Sequence, residues 1–396
     1  MAIVATVFQS IVYGVLATAG LYAAFIGLLT IPALQDQVIY LNRVTLTWFQ
    51  DVNIPEQWGF LRNQVTPFFL STPDGESLHA WHILPLELYR ENQVALLAEP
   101  QGLALDVKQR LGFKLLRDDP SALLVIYLHG AAGTLGSGWR PPSYRAMSVG
   151  APDRIHTLAI DYRGYGSSTG SPSEKGLLTD AVTLAEWAMT EAGIPPERIV
   201  IFAQSIGTAV ALSFIHHMAA KEDPVLFSGL VIVAPFADVE SLTATYRIAG
   251  TIPLLDPIAK VPALLAWLNK LIITKWPNKA KLADFIRRCE QMSPGSPGYD
   301  ITIIHAEDDY DIPWSHSDQL FWHAVNASTE EGIAFEALEE EKYATRIDNG
   351  DGGWAVERRT ERGVIREEIM KYGLHDRIMS YPVVSLAVMR AFRLGK

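Results

Sequence analysis

Five short apolar runs, at residues 123–128, 157–161, 199–202, 229–234 and 301–305, alternate with stretches of helical character. Strands buried on both faces read as unbroken apolar runs, so this alternation predicts a mostly parallel sheet with helices on both sides. Ahead of it, runs 67–70 and 78–84 flank Thr72-Pro73-Asp74-Gly75-Glu76. That arrangement reads as an antiparallel hairpin. The alternation breaks at 238–291, a stretch rich in Ile, Leu and Pro in which Trp267 and Trp276 lie beside Lys270, Lys275 and Lys279. It reads either as a pair of core helices or as an inserted lid whose Trp and Lys edge meets a membrane interface. The expectation carried forward is a helical lid.

Within this frame Ser205 stands out. It joins the β-branched run 198–202 to an alanine-rich helical run from Thr208 onward, with Ala203 two residues before it and Gly207 two residues after. A strand that turns sharply into a helix needs small residues at both places, and such a turn lifts the serine hydroxyl above the sheet. It also aims the amide of Ile206 at the position where a carbonyl oxygen would become an oxyanion. An ordinary strand-to-helix turn containing a serine is the plain alternative. A serine hydroxyl is a weak nucleophile, so the chemistry needs a histidine to take its proton and a carboxylate to orient that histidine.

The acid is expected just beyond the run 301–305, where Asp309 follows His305-Ala306-Glu307-Asp308. Glu307, Asp308, Asp309 and Asp311 crowd this loop, which leaves a divalent-metal site or a solvated turn as rival readings. Calcium loops usually bring a glycine and a spaced set of oxygen ligands, and neither is present. Asp348-Asn349-Gly350-Asp351-Gly352 fails the same test and reads as a hairpin turn. Of the histidines that follow, His316 and His323 fall seven apart on one helix and are explained by packing. His375 instead follows a strand-like run at 363–370 and Gly373, and it precedes a final apolar helix at 381–392. That is where a base at the rim of the sheet would sit. A second oxyanion donor is expected from His129-Gly130-Ala131-Ala132-Gly133-Thr134, with the Ala131 amide as the candidate and the His129 ring turned back into the fold. Gly133, Gly136 and Gly138 do not make a phosphate loop, because no Gly-Lys-Ser/Thr follows.

Taken in order, 129–134, then Asp161-Tyr162-Arg163-Gly164-Tyr165-Gly166-Ser167-Ser168-Thr169-Gly170-Ser171-Pro172, then the Ser205 turn, then His305-Ala306-Glu307-Asp308-Asp309, resemble the membrane-anchored lysophosphatidylserine and monoacylglycerol lipases of the α/β-hydrolase superfamily. The resemblance runs from about residue 68 to the C-terminus. It implies an α/β-hydrolase fold, Ser205 as nucleophile, Asp309 as acid and His375 as base. It further implies an endoplasmic-reticulum membrane protein that acts on single-chain lipid esters without a metal or organic cofactor. Two departures are visible: Ala203 stands where the family more often has glycine, and the segment from Val325 to Lys371 is long and charged. An acyl-protein thioesterase would use the same groups. A non-catalytic receptor binding an apolar ligand on this fold is the alternative from another class, and it would not need the whole set.

The N-terminus carries the second strong signal. Residues 1–35 contain no Lys, Arg, Asp or Glu, and about twenty apolar residues suffice to span a bilayer. A membrane anchor is expected there, centred on 11–34, because no basic n-region or small-residue cleavage site marks a signal peptide. Residues 36–60 are expected to form an interfacial linker helix, and 61–396 the catalytic domain. Arg43 leans towards a cytosolic domain and the family resemblance towards the lumen, the only side on which the sequon at Asn326 could be used. The single Cys289 excludes an internal disulfide. A net charge of -11, with no basic stripe, argues against nucleic-acid binding and leaves the anchor rather than charge to hold the chain at lipid.

Overall fold

The computed structural model describes residues 2–247 and 255–394. Ten strands form one sheet: β1 (Val65–Ser71), β2 (Ser77–Ile83), β3 (Leu123–Leu128), β4 (Ile155–Ile160), β5 (Ile199–Gln204), β6 (Gly229–Val233), β7 (Tyr299–Ala306), β8 (Ile347–Asp348), β9 (Trp354–Arg359) and β10 (Gly363–Met370). Their order is β1-β2-β4-β3-β5-β6-β7-β10-β9-β8. The block from β4 to β10 is parallel, and antiparallel hairpins close both edges. Side chains alternate across the sheet, so each inner strand feeds two cores. Leu124, Ile126 and Leu128 of β3 pack with the helices Glu174–Thr190 and Ile206–Ala219. Val125 and Tyr127 pack with the helices Arg140–Met147 and Pro382–Ala391 on the other face. This double burial is why the strands read as plain apolar runs. The chain leaves β3 for β4 on one side and places β5 on the other, so a crevice opens at the carboxyl ends of β3 and β5, where ligands of such sheets bind.

The first helix runs Ala2–Leu29, is almost wholly exposed, and is long and apolar enough to cross a membrane. Its length of about 42 Å exceeds the roughly 30 Å of a hydrocarbon core. It ends five residues earlier than the 11–34 expectation, because Pro32 forces Ile31 into extended backbone and starts a second helix, Pro32–Tyr40. The linker helix expected over 36–60 is also corrected. Helix stops at Tyr40 with Leu41 in a left-handed conformation, and only a 3₁₀ turn at Pro55–Trp58 follows.

The insertion expected at 238–291 divides in two. Helix Val239–Thr245 starts in the main core, where Val239 is buried, and in the helices Asp256–Ala259 and Pro262–Leu271 that follow, Ile258 and Leu268 pack against Ile26 and its neighbours near the end of the first helix. Residues 248–254 lie outside the described residues. The helix Asn278–Glu290 belongs instead to the core, since Leu282, Phe285, Ile286 and Cys289 fall on one face and are buried. Trp276 is completely buried and Lys279 pairs with Asp238 at 2.7 Å, so neither edges a membrane-facing surface. The long charged segment forms the helix Phe335–Thr345 and the β8–β9 hairpin, an elaboration of the sheet edge. There the buried Lys342 bridges Glu367 of β10 and Glu339, and also pairs with Asp318.

Candidate active site

β5 ends at Gln204, and the helix Ile206–Ala219 begins one residue after Ser205. Ser205 has φ 53 and ψ -125, a strained conformation for a residue with a side chain. The surroundings impose it: the Ser205 amide donates to Val233 O, and Gly207 lies so close to the end of β3 that a Cβ there would be 2.2 Å from Leu128 O. Only glycine allows that approach.

Asp309 lies beyond β7, its carboxylate inaccessible to solvent. Its Oδ1 accepts the amides of Asp311 and Ile312 at 2.9 and 3.0 Å. Its Oδ2 accepts from His375 Nδ1 at 2.8 Å and from His305 Nε2 at 3.0 Å. His375 follows β10 on a loop fastened by Asp308, whose Oδ1 accepts the amides of Gly373 and Leu374, both at 2.8 Å. The other ring nitrogen, His375 Nε2, is 2.9 Å from Ser205 Oγ. Because a carboxylate only accepts, Nδ1 carries the proton, and in the neutral ring Nε2 is free to accept the serine hydroxyl.

The charges reinforce this geometry. Burial raises the Asp309 carboxyl, but the opposing charge of His375 and hydrogen bonds from His305 and His375 outweigh it and hold the group well below the usual carboxylate range. Burial lowers His375, yet Asp309, with smaller help from Asp376 and Asp311, pushes it up to about 9. The crowded acid loop thus has divided duties, with Glu307 paired to Lys371 at 2.9 Å, Asp308 fastening the histidine loop and Asp309 on the imidazole. Among the described residues no group of three or more His, Cys, Asp or Glu side chains is placed to hold a metal ion.

The structure brings together Ser205, Asp309 and His375, and it sets the other histidines apart. His316 is buried, accepting the Ala237 amide and bonding Thr245, and His323 packs on Trp322. His129 is turned inward against Tyr162 and Tyr165. Ala131 lies in the loop after β3, and a Cβ on the preceding Gly130 would be 3.2 Å from Ser205 Cβ. Among the described residues the amides of Ala131 and Ile206 donate to no protein acceptor, which leaves both available to a ligand oxygen.

Several residues that sequence reasoning passed over complete the site. Gln204 Nε2 donates to His375 O and Asp376 Oδ1 at 3.1 and 3.0 Å, clamping the histidine loop to the serine turn. His305 supports Asp309 from behind and bonds Ser317 Oγ at 2.7 Å through Nδ1. The linker crosses beneath the loop after β3, where Tyr40 O accepts the Ala132 amide and Val44 O the Gly133 amide. The motif 161–172 is a brace: Arg163 binds Asp180 and Asp74, and Tyr165 donates to Tyr40 O at 2.6 Å. The guanidinium of Arg140 also faces this loop. Of these, Arg163 and Tyr165 stand in the 161–172 motif that carries the resemblance and His305 in the run before Asp309, whereas Gln204, Tyr40, Val44 and Arg140 had no signal.

Residues 125–329, just over half of the chain, match the profile of the alpha/beta hydrolase family. The chain belongs to that family. Its fold is also that of an alpha-beta hydrolase from Vibrio vulnificus, with a TM-score of 0.51 at 16% identity over 90% of this chain and 91% of the other. Among curated proteins it is 32% identical over 221 residues to lysophosphatidylserine lipase ABHD12 of Xenopus tropicalis, covering 56% of this chain and 51% of the relative. It is 26% identical over 315 residues to the Danio rerio protein of the same name, covering 79% and 72%. To protein ABHD12B of Homo sapiens it is 27% identical over 297 residues, covering 74% and 70%. The matched part thus spans about half the length of the Xenopus relative and more of the other two. As an alpha/beta hydrolase the chain has the mostly parallel sheet covered by helices that its sequence predicted, and its N-terminal apolar segment forms a helix long enough to cross a membrane.

Proposed function

We propose that this alpha/beta hydrolase is a serine esterase that cleaves the carboxylic ester of a single-chain lipid, a lysophospholipid or monoacylglycerol, while held at a membrane by the helix Ala2–Leu29. The observation that carries the reading is the continuous hydrogen-bonded line from Ser205 Oγ through His375 to Asp309, at 2.9 and 2.8 Å. The lysophosphatidylserine lipases among its relatives support a lipid ester as substrate, and the resemblance read from the sequence supports the endoplasmic-reticulum membrane.

In this reading His375 Nε2 takes the Ser205 proton as Oγ attacks the ester carbonyl. The carbonyl oxygen becomes an oxyanion facing the amides of Ala131 and Ile206. The imidazolium, balanced by Asp309, returns its proton to the leaving alcohol as the carbon–oxygen bond breaks, leaving an acyl group on Ser205. Water then attacks that ester, with His375 again taking and returning the proton, and releases the fatty acid.

The test is hydrolysis of a panel of lysophospholipids, monoacylglycerols and acyl thioesters by detergent-solubilised protein beside Ser205→Ala. Release of fatty acid from a lipid ester, lost in the variant, is expected. Turnover of thioesters alone would make the chain a thioesterase. No turnover of any ester by a protein whose Ser205 still reacts with a fluorophosphonate would make it a ligand-binding member of the fold.

A further inference from the structure

Arg140 is a buried arginine that reaches the buried acid Asp161 only across His129, whose Nε2 is 3.5 Å from Asp161 Oδ1 and whose Nδ1 is 2.7 Å from Gly130 O. Its residue is only 6% exposed, and among the described residues no carboxylate lies within ion-pairing distance of its guanidinium. Its contacts are main-chain carbonyls of the loop after β3. Nη1 donates to Thr134 O at 2.6 Å, and Nη2 is shared among Gly130 O, Ala131 O and Ala132 O at 2.9, 3.1 and 2.7 Å. A buried cation with no carboxylate in direct contact is costly and has to be met by several aligned dipoles. Four carbonyls turned towards one guanidinium provide that, and they fix the loop in a single conformation, including Ala132 at φ 56.

One of those carbonyls has a particular partner. Gly130 C=O and Ala131 N–H belong to the same peptide group, and in a trans peptide the two point in opposite directions. The chain has no cis peptide among the described residues. With its carbonyl turned to Arg140, this peptide aims its N–H away from the guanidinium, on the side left without a protein acceptor. A cation bonded to the oxygen of an amide also polarises the group and makes its N–H a stronger donor. We propose that Arg140 is a positioning residue for the reaction: it orients and polarises the Gly130–Ala131 peptide as an oxyanion donor and supplies the positive field behind it. This inference rests on the reading of Ser205 as nucleophile and Ala131 as donor. The helix that Arg140 opens, Arg140–Met147, fixes its backbone against the sheet, so the guanidinium is set in place before any substrate arrives.

The experiment compares the parent with Arg140→Met and Arg140→Lys. Sites are counted by end-point titration with a fluorophosphonate, so that rates refer only to folded, reactive protein. A long-chain trifluoromethyl ketone, which adds to a serine as a tetrahedral oxyanion, is paired with the matching methyl ketone, which reports ground-state binding. In Arg140→Met, kcat per titrated site is expected to fall at least about tenfold with KM changed less than about twofold, a fraction of the loss from deleting an oxyanion donor outright. The trifluoromethyl ketone should weaken by a similar factor while the methyl ketone does not. Arg140→Lys, which keeps the charge but reaches fewer carbonyls, should recover part of both. A merely structural role would lower the number of titrated sites and leave both the rate per site and the ketone affinities within about twofold of the parent; that result overturns the proposal. Should Arg140→Met yield no folded protein, parent-like kcat and ketone affinities in Arg140→Lys would overturn it equally, because lysine cannot reproduce the four-carbonyl geometry. Ser205→Ala run alongside separates the two layers, for if it hydrolyses esters like the parent, the underlying mechanism has failed rather than the role of Arg140.

Discussion

Asp309→Asn separates the two things the carboxylate does for His375, and the structure says how each should register. Asp309 Oδ2 accepts protons from two rings, His375 Nδ1 and His305 Nε2. An asparagine can present its oxygen or its NH2 there. With the NH2 in place, His375 must carry its proton on Nε2, the tautomer that cannot accept from Ser205, and such an error costs on the order of 10⁴ in kcat. The second effect runs the other way. His375 is pushed up to about 9 mainly by the Asp309 charge, so at pH 7 only about 1% of the parent's rings are the free base. With the charge gone, the ring falls back to or below its ordinary value near 6.5, and most rings are then neutral at pH 7. That returns roughly seventyfold of the rate at pH 7 and nothing at pH 10, where both forms are already neutral. The ratio of parent to variant kcat/KM should therefore be on the order of 10² at pH 7 and climb towards 10⁴ at pH 10, while the acid limb of the variant moves down by two pH units or more. The assay is kcat/KM against pH on a short-chain lysolipid, with Ser205→Ala as the blank for spontaneous hydrolysis. A ratio below about tenfold at pH 10, or an acid limb that stays where the parent has it, would refute the reasoning.

Two further predictions concern parts of the chain away from the reacting atoms. Lys342→Met removes the buried cation that Asp318 and Glu367 share, and breaking a buried pair in this way costs about 3–5 kcal/mol, read as a lower Tm. Burial, over the opposing charge of Lys342, pushes Glu367 up to about 8 against an ordinary 4.5, so the folded protein keeps that proton longer than the unfolded one, and its contribution to stability declines as pH rises through that window. Removing Lys342 raises the carboxyl further, so the variant should lose more relative to the parent at pH 8 than at pH 5; equal losses at both would contradict this. Truncation offers the other prediction. Removing residues 1–29 should release the protein from membranes and leave turnover of a soluble ester within a few fold, whereas removing 1–47 also takes away the Tyr40 and Val44 carbonyls that hold Ala132 and Gly133, and should lower kcat at least about tenfold. Equal activity of the two truncations, per titrated site, would show that the strap is dispensable.

What could be read from the sequence was whatever side chains advertise. Inner strands such as β3 and β5 are buried on both faces, so they read as apolar runs up to Gln204 at the end of β5. The Ser205 turn is bracketed by Ala203 and Gly207 because backbone from β3 fills the space a side chain would need. His375 and Asp309 each follow a strand, at the one edge of the sheet where loops converge. What stayed hidden was the work of the main chain. Residues 41–54 look helical by composition, but the Val44 and Thr45 carbonyls accept from Gly133 and Ser137 in the loop after β3, and nothing in a side-chain pattern signals that. Arg140 was invisible for the same reason, since its partners are four carbonyls rather than an acid. Other misses were readable in principle: Pro32 marks the end of the first helix, and the spacing of Leu282, Phe285, Ile286 and Cys289 marks a core helix inside what composition made a lid. The hairpin of β8 and β9 was harder, because Glu357, Arg358 and Arg359 hide an edge strand whose charges are paired along its length.

The central claim is that Ser205 becomes acylated during turnover, and trapping that acyl-enzyme tests it most directly. Solubilised protein mixed with a lysophospholipid, quenched in acid within the first turnovers and digested should yield one peptide heavier by the acyl chain, with fragmentation placing the ester on Ser205. Asp309→Asn should accumulate it more slowly, and Ser205→Ala should show neither the adduct nor the released fatty acid. An acyl group found on another residue, or fatty acid released at the parent rate by Ser205→Ala, would contradict the account.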